Sequence, residues 1–213
     1  AEVIPCDKKG IAQTVEDTMN DLTARGYRPY YIFGNKFGEG NEGTPVQAYA
    51  DGYREIRAFE EREQIRFSHL FFASGTGSTQ CGLVSGKLLE GGDEKIVGIS
   101  ISSREYERAM NVMKNGIRDY FRKRGFELPE NFEKELILET SFRKGGYGLY
   151  DQEILDVIRE QFTRNGLPLD PTYTGKAFAG MLHYLKDNDI RDTNILFIHT
   201  GGSPLFYDCL HTV

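Results

Sequence analysis

A three-layer α/β sandwich built on a mostly parallel sheet is the fold class this sequence predicts, on three observations. Short apolar runs alternate with amphipathic stretches at helical spacing along most of the chain, the mark of a parallel sheet covered on both faces. One such run, Leu70-Phe71-Phe72-Ala73, breaks into Ser74-Gly75-Thr76-Gly77-Ser78-Thr79-Gln80-Cys81-Gly82 before a new apolar pattern opens at Leu83, which reads as strand, tight loop and helix. The 213 residues, 39% hydrophobic and 12% aromatic, are enough for one large domain, or for a domain and part of another.

Taken in order, residues 1–6 read as a short strand that starts at once, without an initiator Met or a targeting segment, so the chain is expected to be a piece of a longer one. Residues 11–25 carry an apolar stripe (Ile11, Val15, Met19, Leu22) that stops at Gly26, a good helix terminator. A strand is predicted over 29–33. It opens into a loop crowded with Gly34, Gly38, Gly40 and Gly43, either a surface excursion or a segment passing close to a ligand. A long helix over 46–65 presents Tyr49, Tyr53, Ile56 and Phe59 on one face and delivers the chain into the strand at 67–73. A helix over 81–89 ends at Gly91-Gly92, and a strand over 95–102 and a charged helix over 104–124 follow. Beyond a short strand at 135–139, Gly145-Gly146-Tyr147-Gly148 precedes a helix over 151–165 with the stripe Ile154, Leu155, Ile158 and Phe162. The chain closes with Leu169-Asp170-Pro171-Thr172-Tyr173-Thr174-Gly175-Lys176, a helix to about residue 185, a strand over 194–199 and Thr200-Gly201-Gly202.

Composition excludes several partners. A net charge of −6 argues against nucleic acid, whose phosphates demand a basic surface, and the cluster Arg118, Arg122, Lys123, Arg124 reads as a solvated helix face. No run approaches the roughly 18 apolar residues of a membrane span. Three scattered cysteines, Cys6, Cys81 and Cys209, form neither a disulfide framework nor a zinc pattern, so a soluble cytoplasmic protein is expected. His69, His183 and His211 have no partner at metal spacing, and no metal is expected. His199 reads as a core or edge histidine with a hydrogen-bonded ring, and Cys81 as a small side chain packed under the loop.

The loop after the 67–73 strand points to an anion. Small residues let the backbone approach a ligand, and the first amides of the following helix have no intrahelical partner. The hydroxyls of Ser74, Thr76, Ser78 and Thr79 suit the several oxygens of a phosphate. A Walker loop would end in Gly-Lys-Ser/Thr, and here Lys87 comes too late; the dinucleotide fingerprint wants glycine where Gln80 stands. By spacing alone, a glycine turn with no ligand stays open. In open α/β sheets ligands lie at the strand carboxyl ends, so the loops after Ala73, Ser102 and His199 are expected to share one crevice.

The segments Ser74-Gly75-Thr76-Gly77-Ser78-Thr79-Gln80, Asp170-Pro171-Thr172-Tyr173-Thr174-Gly175-Lys176-Ala177 and Phe197-Ile198-His199-Thr200-Gly201-Gly202 resemble the signatures of the D-cysteine desulfhydrase and 1-aminocyclopropane-1-carboxylate (ACC) deaminase family. These are pyridoxal-phosphate enzymes of the tryptophan synthase β fold type, fold type II, and the resemblance covers nearly the whole chain. It implies that the amides of Thr76, Gly77, Ser78 and Thr79, with Ser74 and Gly75, hold the phosphate of pyridoxal 5'-phosphate. It implies Thr200 and Gly201 near the pyridine nitrogen, and Tyr173 and Thr174 as catalytic residues beside cofactor and substrate. Within the family, deaminases that open the cyclopropane ring place Glu after that Tyr and lack Thr at the position of Thr200. Tyr173-Thr174 and Thr200 therefore tilt the expectation toward the desulfhydrase-like branch, which converts a small D-amino acid such as D-cysteine to a keto acid, ammonia and the leaving thiol.

The lysine that binds the cofactor aldehyde in this family belongs to an upstream Asn-Lys segment outside this sequence, as does the Ser/Asn loop for the substrate carboxylate. Gly34-Asn35-Lys36 mimics the first, but Lys36 falls where the family has a glycine-rich crossover, and it reads as a solvated loop lysine. Lys176 reads as a surface charge at a helix start. The expectation is a partial fold type II chain, residues 1–33 finishing a small domain and 34–213 forming most of the large cofactor-binding domain. The full-length protein is expected to be a homodimeric lyase or deaminase most like D-cysteine desulfhydrase; the alternatives are a 1-aminocyclopropane-1-carboxylate deaminase, or a non-catalytic cofactor- or phosphate-binding fragment lacking the Schiff-base lysine.

Overall fold

The computed structural model describes residues 2–37, 39, 41 and 43–210; Ala1, Gly38, Gly40 and His211 lie outside them. The chain divides into two compact units, Ala1–Pro45 and Val46–Val213, against an expected boundary after Phe33.

The second unit holds the sheet. Its strands β1 (Phe67–Ser74), β2 (Lys95–Ser100), β3 (Ile137–Glu139) and β4 (Asn194–Phe197) all pair in parallel, in the order β3-β2-β1-β4. Parallel pairing obliges the chain to cross back after each strand, and helices make those crossings. Successive side chains on β1 and β2 then enter opposite layers. Leu70, Phe72 and Ile96 pack with helices α2 (Gly43–Glu63), α3 (Ser78–Glu90) and α4 (Tyr106–Arg124). Phe71, Ala73, Val97 and Ile99 pack with α5 (Gln152–Asn165), α6 (Thr174–Asp187) and the short α7 (Ser203–Cys209). Leu70, Phe71 and Phe72 are wholly buried, each burial contributing about 1.5–3 kcal/mol. The predicted three-layer sandwich is therefore the observed fold.

Topology locates the ligand end. From β1 the chain moves to β2 on one side, whereas β4 adds on the other side of β1. That reversal is a topological switch point, and the crevice outside the strand carboxyl ends at such a point is where open α/β sheets bind ligands. Register aligns the strand ends as well: Ser74 pairs with Ser100, and Phe71 with Phe197, the last residue of β4.

The crossing of α3 on α2 is close. A Cβ added at Gly82 would lie 2.3 Å from the Tyr49 Cβ and 2.6 Å from the Val46 carbonyl oxygen. Gly82→Ala is expected to destabilise the protein by about 1–3 kcal/mol through overpacking. Gly52, inside α2 with nothing within 4 Å of its would-be Cβ, should respond oppositely. Gly52→Ala is expected to stabilise by roughly 0.5–1 kcal/mol, and urea unfolding of the two variants gives the opposed signs directly.

The basic cluster on α4 is the solvated face expected. Arg118 pairs with Glu133 at 2.6 Å, Arg122 and Lys123 pair with Asp119, and Arg124 lies over the Tyr120 ring. Among the described residues no helix is long and apolar enough to cross a membrane, and no group of His, Cys, Asp and Glu could hold a metal ion.

The first unit departs from expectation. Helix α1 (Ile11–Ala24) forms as predicted and Gly26 follows it with φ +85°, yet none of its residues is buried. The strands predicted at 1–6 and 29–33 do not form among the described residues, because no described segment of this unit offers them a ladder of backbone partners. Tyr30, Ile32 and Phe33 stay exposed. Lys36 is tied to Glu16, its Nζ 2.8 Å from each carboxylate oxygen, a surface ion pair as the solvated-lysine reading requires.

Candidate cofactor site

The loop between β1 and α3 ends on Gly77, which occupies the N-cap position with φ +94° and offers no capping side chain. The first bond into the helix is donated by the Cys81 amide to the Gly77 carbonyl at 2.9 Å. The amides of Ser78, Thr79 and Gln80 thus open onto the loop without a side-chain cap, as an anion cradle requires. Only a residue without Cβ fits at Gly77, since an added carbon would sit 2.7 Å from the Met113 Cγ. The Thr76 and Ser78 hydroxyls lie 3.3 Å apart at the rim. The helix begins at Ser78 rather than the expected residue 81 because its first turn is polar and faces the loop, outside the apolar pattern that marked the rest.

A small open cleft adjoins this loop, lined by Ser74 to Gly77, by Ser100 at the end of β2 with Ser102 and Arg104 beyond it, and by the apolar Ala109, Met113 and Leu138. Arg104 Nη1 donates to the Thr76 carbonyl at 3.3 Å, placing a cation beside the cradle. The loop after Ser102 was expected to share a crevice with the loop after Ala73, and it does; Arg104 was read only as the start of a charged helix. Their sharing of the cleft follows from the β1–β2 register.

Gln80, where a dinucleotide site would need glycine, is fully buried and reaches across the sheet. Its Nε2 donates to the Ile137 carbonyl at 2.7 Å and its Oε1 accepts from Ser74 Oγ at 3.3 Å. It braces the loop from below. Cys81 is packed there too, with Sγ 3.3 Å from the Met113 carbonyl oxygen and its thiol pushed up to about 12 by burial, so it is no nucleophile.

The 169–176 segment is organised by Asp170, 1% exposed, whose carboxylate accepts from the amides of Thr172 (2.9 Å), Tyr173 (2.7 Å) and Thr174 (2.9 Å) and from Thr174 Oγ1 (2.8 Å). Thr174 Oγ1 in turn accepts from the Asp170 amide at 2.9 Å. This reciprocal set caps the start of α6. Thr174 is wholly buried and its hydroxyl is committed to the cap, whereas Tyr173 is part-exposed and points its hydroxyl elsewhere. The Tyr173 hydroxyl bonds that of Tyr147, from the glycine turn, and the rings stand edge to face with centroids 5.6 Å apart. That bond, with burial and the neighbouring Asp170 charge, pushes Tyr173 up to about 12. Across the neutral range it is a neutral hydroxyl, able to donate a hydrogen bond but not to act as a resident base.

The loop after β4 closes on the same carboxylate: a Cβ at Gly202 would meet Asp170 Oδ2 at 2.3 Å. Thr200 and Gly201 therefore run beside the Tyr173 segment. His199 is the hydrogen-bonded histidine expected, its Nε2 donating to the Pro168 carbonyl at 2.9 Å and its Nδ1 accepting from the Gly201 amide at 3.4 Å. Lys176 corrects the reading as a surface charge. It is 0% exposed, and Nζ donates to the carbonyls of Arg143 (3.1 Å) and Gly146 (2.7 Å), since the helix start that carries it is itself buried.

A family model for pyridoxal-phosphate dependent enzymes matches residues 1–201. The chain belongs to that family. Its cofactor is pyridoxal phosphate, and the cradle fits a phosphate on this structure's own terms: uncapped amides at the helix start, rim hydroxyls, and a left-handed Gly77 that turns the backbone into the helix. The chain is 29% identical over 200 residues to a 1-aminocyclopropane-1-carboxylate deaminase of Variovorax paradoxus, covering 92% of this chain and 56% of the relative. It is 27% identical over 197 residues to the enzyme of that name from Ralstonia pickettii, with the same coverage. The solved structure of an ACC deaminase homologue superposes with a TM-score of 0.78 at 27% identity, over 99% of this chain and 60% of that one. A hydrogen sulfide-producing enzyme of Fusobacterium nucleatum shares the fold alone, with a TM-score of 0.52 at 16% identity over 95% of this chain and 62% of that one. The chain spans little more than half the length of the curated relatives it matches.

Proposed function

We propose that the full-length protein is a pyridoxal-phosphate-dependent lyase acting on a small amino acid, with D-cysteine the substrate: D-cysteine and water give pyruvate, ammonia and hydrogen sulfide. The observation that carries this reading is Thr174. Where the ring-opening deaminases of the resembled family hold a glutamate, this chain has a hydroxyl sealed into the Asp170 cap, so no carboxylate reaches the ligand from that position. A carboxylate would hold a pyridine nitrogen protonated; a neutral hydroxyl such as that of Thr200 would not.

When bound, pyridoxal phosphate supplies the electron withdrawal that loosens bonds at the amino acid's α-carbon. The residues of this chain divide the remaining work. The amides of Thr76, Gly77, Ser78 and Thr79 would hold the phosphate, with Ser74 and Gly75 forming the approach to the cradle. Thr200 would offer its hydroxyl to the ring nitrogen, and Gly201 would keep the backbone slim beside it. Tyr173 is the catalytic residue, holding a proton at its hydroxyl beside the ligand, and Thr174 acts through the cap rather than by contact. We also assign the full-length protein to the cytoplasm as a homodimer, with 34–213 as most of the cofactor-binding domain; light scattering tests the dimer.

The names of the Variovorax and Ralstonia relatives favour a second reading, ring opening of 1-aminocyclopropane-1-carboxylate. Full-length protein assayed on D-cysteine, L-cysteine and 1-aminocyclopropane-1-carboxylate separates the two. Sulfide from D-cysteine at a rate at least tenfold above keto acid from the cyclopropane supports the first, and the reverse ratio installs the second. Protein that stays colourless with added pyridoxal phosphate and turns over neither substrate would support the non-catalytic alternative.

A further inference from the structure

Among the described residues only Lys87 and Lys176 are buried lysines, and Lys176 is the more enclosed. Burial pushes its ammonium below the usual lysine range, partly offset by the charges of Asp151 and Asp170. Such a group is costly to keep inside unless its donors are used. They are used on one turn: Nζ bridges the carbonyls of Arg143 and Gly146. Between and at those carbonyls the backbone runs through left-handed geometry, with φ +49° at Lys144, +85° at Gly145 and +131° at Gly146. Within the turn the Gly146 amide donates to the Arg143 carbonyl at 2.9 Å, and the Gly146 carbonyl also accepts from the Leu149 amide at 3.3 Å.

Two lysine side chains add to those backbone bonds. On the solvent side Lys144 Nζ pairs with Asp151 at 2.8 Å and Glu153 at 2.6 Å. On the buried side the Lys176 ammonium is the side-chain donor to the carbonyls of Arg143 and Gly146. The residue that leaves the turn is Tyr147, 61% exposed, whose hydroxyl meets Tyr173. Little else fixes so exposed a ring, so its place against Tyr173 depends on where the turn releases it. Lys176 lies three residues beyond Tyr173 on the same capped helix start, and one rigid element thus carries both the tyrosine and the post that aims its partner.

We propose that Lys176 is a positioning residue whose ammonium fixes the 143–146 turn and thereby sets Tyr147 against Tyr173. The functional weight of that placement rests on the reading of Tyr173 given above; the geometry does not. The test therefore reads geometry first. In full-length protein labelled at tyrosine, a nuclear Overhauser contact between the Tyr147 and Tyr173 rings is expected, assigned by its disappearance in Tyr147→Phe and Tyr173→Phe spectra of those labels. Lys176→Met, similar in length but without donors, is expected to weaken the contact at least fivefold while circular dichroism stays native. Where that variant is insoluble, Lys176→Gln decides by the same criterion. An undiminished contact in the folded variant overturns the proposal, even if its melting temperature falls, because a purely structural lysine would lower stability without moving the ring pair. Loss of the contact in protein that never binds pyridoxal phosphate would keep the positioning role and discard the functional reading instead.

Discussion

Asp170→Ala is expected to lower the free energy of unfolding by about 3–5 kcal/mol, among the largest effects of a single side-chain change in this chain. The carboxylate accepts four hydrogen bonds at the start of α6, three from backbone amides and one from Thr174. Alanine would leave those amides without an acceptor in a place that water scarcely reaches, each orphaned donor costing about 1–3 kcal/mol before relaxation. An ordinary exposed N-cap costs about 1 kcal/mol on removal, so a value well above that distinguishes a buried hub from a local cap. Asp170→Asn keeps the size and one acceptor oxygen and should fall between. The loss should reach the site too, since Tyr173 and Gly202 both lie against this carboxylate. Urea unfolding checks the stability; if alanine costs no more than about 1 kcal/mol, the cap is no more than local and the site's two loops are not held through it.

Much of the fold could be read from the sequence because burial on both faces writes itself as unbroken apolar runs. Leu70 to Ala73 and Ile96 to Ile99 are the centre of the sheet, and nothing else in the sequence could occupy that place. The predicted strands outside the sheet failed for the converse reason. Pro29 to Phe33 has the composition of a strand, but a strand exists only through its neighbours, and propensity does not name a partner. At the site, the glycine and hydroxyl residues of the 74–79 loop were legible because their physical demand, close approach to an anion, is local. Gln80, Asp170 and Lys176 do their work across the fold, on Ile137, on Gly202 and on Gly146 respectively. Their side-chain types are ordinary and their significance lies in which distant backbone they meet, so Lys176 in particular read as a surface charge until its burial was known. Tyr147 was legible only as part of a glycine turn, since a hydrogen bond to another tyrosine leaves no periodic trace.

Gly77→Ala is expected to weaken binding of pyridoxal phosphate to the full-length protein at least tenfold while leaving the affinity for pyridoxal, which lacks the phosphate, nearly unchanged. Two independent costs fall on the same residue. Its φ of +94° is a conformation that an L side chain enters at about 1–2 kcal/mol, and the new methyl would stand 2.7 Å from the Met113 Cγ. Met113 is 2% exposed within the core, so the methionine has little room to retreat and the loop must yield instead. The amides of Ser78 and Thr79 would then turn from the direction in which the uncapped helix start now presents them. A tenfold loss corresponds to about 1.4 kcal/mol, well within what misaligning donors to a charged group removes. The comparison of two ligands makes the result specific, because a general loosening of the site would weaken both. Absorbance titration of each ligand into wild type and variant gives the four constants. Equal weakening of pyridoxal and pyridoxal phosphate would place the phosphate somewhere other than the start of α3, and with it would go the assignment of Ser74 to Thr79 as the cradle.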